Sequence, residues 1–476
     1  MLTFFTLGLP GMTDPLLRLT LPGLLMLLLV TGLGALLLRY SSRYMAGEPH
    51  MKAFRLQMLG VLLAVALVIL SDHLLLLLIG WMLVGSCLHP LLVFYPERPF
   101  AVLAAHKKFL LTRLSDCLLL IAILLLWQSH GSFSVSRILD SYQAQGTTGN
   151  PLDTAAAVLI ALTALLRSAQ LPFHGWLIQT VEAPTPVSAL LHAGVINLGG
   201  FLLILFAPLL AGTPLAQWVL LLVAGPSLLL AALIMSVRAS VKVRLAWSTS
   251  AQMSLMLIEC ALGLYELALL HLLAHSLYKA HAFLRSGEQV NDQTLQWLAP
   301  AAPLRTRDIA LACLATLLLC LTAVSFSAGQ GPLAPWAWLG LAVFGLLIER
   351  RSLQQHDAVG YRLLAAVALV TCFSLLKWLV EALPLIDPLP IATRLGVADL
   401  LVALLFGGLF AIASLLRFQP RQPIVRTLAR HLYAGLYVDE LITRLTLRLW
   451  PVHLPQPQQA APPRPLATAH LKETTP

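Results

Sequence analysis

The chain reads as long apolar runs separated by short polar breaks. A helix needs about 20 mainly apolar residues to cross the hydrocarbon core of a bilayer. Runs close to that length lie near residues 18–40, 53–71, 73–95, 104–128, 152–182, 184–207, 216–237, 244–262, 265–284, 308–328, 335–349, 361–380 and 396–416. They predict an all-α, polytopic bundle of about 13 membrane-spanning helices. One run carries its own interruption: Pro172 lacks the N–H donor that the helical ladder needs, so the helix over 152–182 is expected to break there. After residue 417 the pattern changes. Over 425–450, Leu428, Leu432, Leu436, Leu441 and Leu445 alternate with Arg and His, as in a helix that lies at an interface or binds a partner. Residues 451–476 are rich in Pro, Gln and Ala and are expected to be disordered. The expected organisation is a transmembrane domain over 1–417, a cytoplasmic amphipathic segment over 418–450 and a tail over 451–476.

Composition supports a lipid environment. Hydrophobic residues make up 58% of the 476 and charged residues 11%, whereas a soluble globular chain carries roughly 25% charged residues. The net charge of +10 could suggest nucleic acid, but the basic residues sit in short loops rather than on one polar face. Arg39, Arg43, Lys52 and Arg55 fall between the first two runs, Arg98, Lys107 and Lys108 between the third and fourth, and Arg238, Lys242 and Arg244 between the seventh and eighth. Loops 208–215 and 329–334 have none. By the positive-inside rule this alternation puts the N-terminus outside and the C-terminus in the cytoplasm. Residues 1–15 lack a basic n-region and a small-residue cleavage site, so the first run is expected to act as its own insertion signal. The six cysteines form no C-x-x-C pair and predict neither disulfides nor zinc.

Ionisable residues inside a span are expensive and need a reason. Arg167 ends the apolar run AAAVLIALTALLR and is followed by Gln170, Pro172 and His174. A cation beside a broken helix suits an ion site at membrane depth, though a snorkelling arginine accounts for it equally well. The ninth run places His271, His275 and Lys279 at i, i+4 and i+8, on one helical face, while His281 lies off it. Histidine titrates near neutral pH, so such a stripe suits proton transfer. Glu182 and His192 flank the double proline Pro184 and Pro186, which opens the next helix and puts His192 about two turns inside. Arg113 and Asp116, three apart, are expected to pair. No P-loop, dinucleotide fingerprint, Cys/His metal spacing or haem-attachment motif is present, so neither cofactor nor metal is expected.

Three segments carry a resemblance: RSAQLPFHGWLIQTVEAPTPVSALLHAGVINLGG (167–200), SVKVRLAWSTSAQMSLM (240–256) and HLLAHSLYKAHAFLRSG (271–287). They resemble the proton-translocating antiporter-like subunits, which include subunit five of complex I and the large subunits of Mrp antiporters. The likeness runs from about residue 39 to 287 and resumes weakly at LYVDEL, 436–441. It implies an antiporter-like fold and a proton or cation path through Arg167, His192, His271, His275 and Lys279, with Glu182 nearby. Members normally carry lysine where this chain has Arg167, and an acidic residue where it has Met82. The chain also begins where the family's third helix normally begins, and the distal lysine segment is replaced by CLATLLLCLTAV.

Details such as AAHKKFLLTRLSD, PFHGWLIQ and HSLYKAHAFL resemble one branch, the membrane subunits of the DAB inorganic-carbon accumulation complexes. That branch implies a bacterial inner-membrane location and a large cytoplasmic DabA-like partner resembling a zinc β-carbonic anhydrase. It also implies a flow of protons or another cation that drives conversion of carbon dioxide to bicarbonate, with no catalysis by this chain alone. The alternative function is proton translocation in a complex I-like enzyme or Mrp-type antiport.

Overall fold

Side-chain caps mark the starts of two helices, and prolines open several others. The computed structural model describes residues 3–8, 14–145, 150–288, 306–326, 334–348, 359–382 and 396–452. An antiparallel hairpin of β1 (Thr3–Leu7) and β2 (Leu17–Thr20) precedes α1 (Leu21–Tyr44), which Thr20 caps by accepting the Gly23 N–H at 3.3 Å. Next come α2 (Met51–Leu70), α3 (Leu74–Leu92) and α4 (Pro99–His130). Pro99 opens α4, and Gly131, at φ 64°, closes it in the left-handed conformation that glycine adopts without strain. The amphipathic α5 (Val135–Gln145) leads to α6 (Pro151–Arg167), capped by the Asn150 side chain.

The expected break follows. The helix stops at Arg167, Ala169 takes a positive φ of 51°, and a short α7 (Gly175–Gln179) resumes beyond Pro172. A second interruption was not anticipated: α8 (Thr185–Ala193) stops at Gly194 and continues through a 3₁₀ turn into α9 (Leu198–Leu205). Then come α10 (Ala207–Ala211), α11 (Pro214–Val237), α12 (Val241–Ala261) and α13 (Tyr265–Leu284). Beyond these lie α14 (Thr306–Phe326), α15 (Ala334–Ile348), α16 (Val359–Ala382) and α17 (Val397–Phe418). Two amphipathic helices, α18 (Pro423–Tyr433) and α19 (Glu440–Leu449), end the described chain. The tail expected over 451–476 lies, from residue 453 on, outside the described residues.

Among the described residues, eight helical stretches are long and apolar enough to cross a membrane: α1–α4, α8 with α9, α11, α16 and α17. The other expected spans correspond to α6 and α12–α15. The large core joins α1–α4, α6, α8, α9 and α11–α13, and a smaller cluster joins α14–α16.

Polar contacts gather at the two ends of this bundle. At one end Thr185 Oγ1 accepts from Lys242 Nζ at 2.9 Å and lies 3.1 Å from Tyr44 Oη, and Tyr95 Oη donates to Glu48 at 3.0 Å. At the other, the buried Asp72 carboxylate faces Arg18 Nε at 3.3 Å and accepts from the Ser136 N–H and from the hydroxyls of Ser134 and Ser136. Asp72 thus ties β2 to the turn before α5. Its replacement by alanine leaves Arg18 and both serines short of a partner and should destabilise the fold by about 3 kcal/mol. An unchanged melting temperature in detergent would show that the hairpin is not held this way.

Candidate functional site

The buried ionisable side chains fall into two groups joined by uncharged polar residues. The first lies between α3, α4 and α6. Arg167 is 5% exposed, donates from Nη2 to the Trp81 carbonyl at 2.7 Å and stacks 4.7 Å from the Trp81 ring centre. Lys108, also buried, donates to the Gly85 carbonyl at 2.9 Å. Asp116 lies 2.9 Å from Arg113 Nη2, the expected pair, and its charge also reaches Arg167 and Lys108. Lys108, Thr112, Ser115 and Arg167 line one small cavity with Trp176 and Ile196. Gly85 lets α4 come this close, because a Cβ there would meet Thr112 Cγ2 at 2.8 Å.

From Arg167 the break leads to α12. Gln170 Oε1 accepts from Ser254 Oγ at 2.6 Å, and the Ala169 carbonyl accepts from Ser250 Oγ at 3.2 Å. The Leu171 N–H, freed by the break, donates to Ser227 Oγ on α11. Irregular backbone is tolerated at membrane depth where such partners re-satisfy it.

The second group lies between α8, α12 and α13. Lys279, with no exposed side-chain surface, donates to the Leu245 carbonyl at 2.9 Å. The same carbonyl accepts from Thr249 Oγ1, which lies 3.0 Å from His192 Nδ1. Since the threonine proton goes to Leu245, His192 must donate from Nδ1. The His192 ring stacks on Phe283, and its Nε2 has no partner among the described residues. His275 is buried with neither nitrogen partnered among the described residues, and its charge couples to Lys279, His192 and His271. His271 Nδ1 lies 3.0 Å from the Glu259 carboxylate, and Nε2 lies 2.9 Å from Gln252 Oε1. A doubly protonated ring donates to both, and turning the Gln252 amide over serves the neutral ring.

The structure therefore brings Arg167 to one group and His192, His271, His275 and Lys279 to the other. Glu182 is in neither: its side chain, 44% exposed, sits at the bundle end facing Arg98 at 4.0 Å. Sequence reasoning missed Lys108 and Glu259 and gave Asp116 only a structural pair. The first two had legible signals. Lys108, Thr112 and Asp116 repeat at i, i+4 and i+8, and Glu259 and His271 stand equally far from Tyr265 at the α12–α13 turn.

Residues 71–330 match the family described as NADH:quinone oxidoreductase/Mrp antiporter, TM, and residues 17–55 match the complex I chain 5 N-terminus. The "Probable inorganic carbon transporter subunit DabB" of Hydrogenovibrio crunogenus is 45% identical over 91% of this chain and 83% of its own length. The chain belongs to the DabB family. The DabB2 protein of Halothiobacillus neapolitanus is 36% identical over 89% of this chain and 78% of its own. Subunit L of the NADH-quinone oxidoreductase of Mycobacterium tuberculosis is 34% identical over 56% of this chain. A chain of the Mrp complex from Dietzia shares the fold, with a TM-score of 0.62 at 22% identity, covering 94% of this chain and 54% of that one. Within this DabB-family fold, the position where the antiporter-like relatives are expected to hold an acid is Met82, whose side chain is 38% exposed, while Asp116 on α4 supplies the carboxylate near Arg167.

Proposed function

We propose that this chain conducts protons through its bundle and so supplies the energy for inorganic-carbon accumulation by a membrane complex. One observation carries the reading: buried ionisable atoms without partners converge along the row. Among the described residues they are His192 Nε2 and both nitrogens of His275, with Arg167 Nε and Nη1 and Asp116 Oδ1 at the other end of the row. A core built only for packing avoids such atoms, since each is costly when left unpaired. Groups that exchange protons need a free lone pair or N–H to do it. Lys279, His192, His275 and His271 with Glu259 form the exchanging half. Arg167 is a fixed charge that tunes its neighbours, because a guanidinium stays protonated. The printed names of the 45% and 36% identical relatives support inorganic carbon as the transported class. The carbon chemistry belongs to a large cytoplasmic DabA-like subunit resembling a zinc carbonic anhydrase, and the membrane is a bacterial inner membrane with the C-terminus of this chain inside.

The test is radiolabelled bicarbonate uptake by cells expressing the intact complex, with and without an uncoupler, after purification through this chain to identify what accompanies it. Uptake that collapses with the proton gradient, and a zinc-binding cytoplasmic protein in the eluate, are expected. Uptake indifferent to the uncoupler would sink proton coupling. Recovery of quinone-reductase subunits instead would move the chain to the respiratory reading that its likeness to subunit L allows.

A further inference from the structure

The segment after α17 returns to the bundle at one charged point. Asp439, just before α19, pairs with Lys107 of α4 at 2.6 Å, 332 positions away. The Lys107 side chain has no exposed surface, so its ammonium has left water for this carboxylate. The same oxygen accepts from Gln179 Nε2 and Thr443 Oγ1, both at 3.3 Å. Asp439 also lies against the backbone of Gly175: a Cβ built on that glycine would fall on the carboxylate. Its charge reaches His174, the buried residue that ends the break. Around this point the fit is apolar and aromatic. Ile442 and Thr446 are buried, and the Trp450 ring stacks on His106 at 3.8 Å.

We infer that residues 435–450 form an internal clamp on the broken helix, in which Asp439 is a positioning residue that holds Lys107 and the stretch 174–179 in the arrangement the proton row requires. The inference rests in part on the proposed proton path. The amphipathic segment expected to seek an interface or partner is already engaged with its own chain through this face.

The clamp has a readout independent of transport. Thr446 is 2% exposed, so in the parent complex purified in detergent a cysteine there should resist a water-soluble maleimide, with the chain lacking T446C as the blank. D439A should expose T446C to labelling and lower uptake about tenfold or more, with the chain present in the membrane at parental amount. G175A should do the same, because its Cβ takes the space of the carboxylate. The double variant G175A/D439A should be no worse than the worse single, since both remove one contact. D439N leaves Lys107 buried and uncompensated, and K107M/D439N, which removes both charges, should recover protection of T446C and much of the uptake. Protection of T446C that persists in D439A overturns the clamp. Labelling that rises while uptake stays at the parental level overturns its positioning role. Should Lys279→Ala leave uptake intact, the proton path fails, and the T446C labelling still decides whether the clamp exists.

Discussion

Lys279→Ala should abolish gradient-driven uptake while the chain still reaches the membrane. The lysine is fully buried, its hydrogen-bond acceptor among the described residues is the Leu245 carbonyl, and its charge reaches both His192 and His275. A main-chain carbonyl is not a proton acceptor here, so a relay through the ammonium has to run to those imidazoles, directly or through water. Two further variants separate exchange from fixed charge. Lys279→Met keeps the volume and should fail like alanine with less damage to packing. Lys279→Arg keeps the charge but holds its proton, so it should fail as well. Uptake of labelled bicarbonate against membrane abundance checks all three. An active Lys279→Arg would show that position 279 provides charge alone, and an active Lys279→Ala would remove it from the path.

Much of this architecture was legible because lipid imposes simple rules. The span expected over 265–284 is α13, Tyr265–Leu284, and its stripe of His271, His275 and Lys279 follows from helical period alone. The break near Pro172 followed from a missing N–H donor. The interruption at Gly194 had no such mark, since no proline lies between Pro186, at the helix start, and Gly194, and a glycine there reads equally well as helix. The β1–β2 hairpin escaped because its strands are short and β2 is held by Asp72 and Ser71, distant in sequence.

The site was less legible than the fold, for a related reason. Periodicity places residues on one helix face but does not say which helix that face meets. Asp116 could be paired with Arg113 from spacing, yet its proximity to Arg167 depends on α4 packing against α6. The contact between Asp439 and Lys107 is less local still. Resemblance marked LYVDEL as familiar without saying where its aspartate goes. Glu182 shows the opposite failure: its place beside the proline pair suggested the path, but the chain turns there at the bundle end and leaves it beside Arg98.

Arg167→Met separates function from stability more sharply than any other change in the row. Arg167 is buried with Nε and Nη1 unpartnered among the described residues, and Arg113 and Lys108 add like charge nearby. Against this stand Asp116, one hydrogen bond to Trp81 and the stack on its ring. Replacing a charge so placed by an apolar side chain of similar volume is often neutral or stabilising. Asp116 is not stranded, because Arg113 remains 2.9 Å away. The melting temperature of Arg167→Met in detergent should therefore stay within about 1 kcal/mol equivalent of the parent, while uptake falls about tenfold or more because the field on the row is lost. Arg167→Lys should keep most of the uptake, since a fixed positive charge is all the position is asked to supply. If Arg167→Lys is as inactive as Arg167→Met yet assembles normally, charge is not enough, and the planar stack on Trp81 becomes the feature that matters. If Arg167→Met instead unfolds, the arginine is held for packing, and the row loses the member that links the break to α3 and α4.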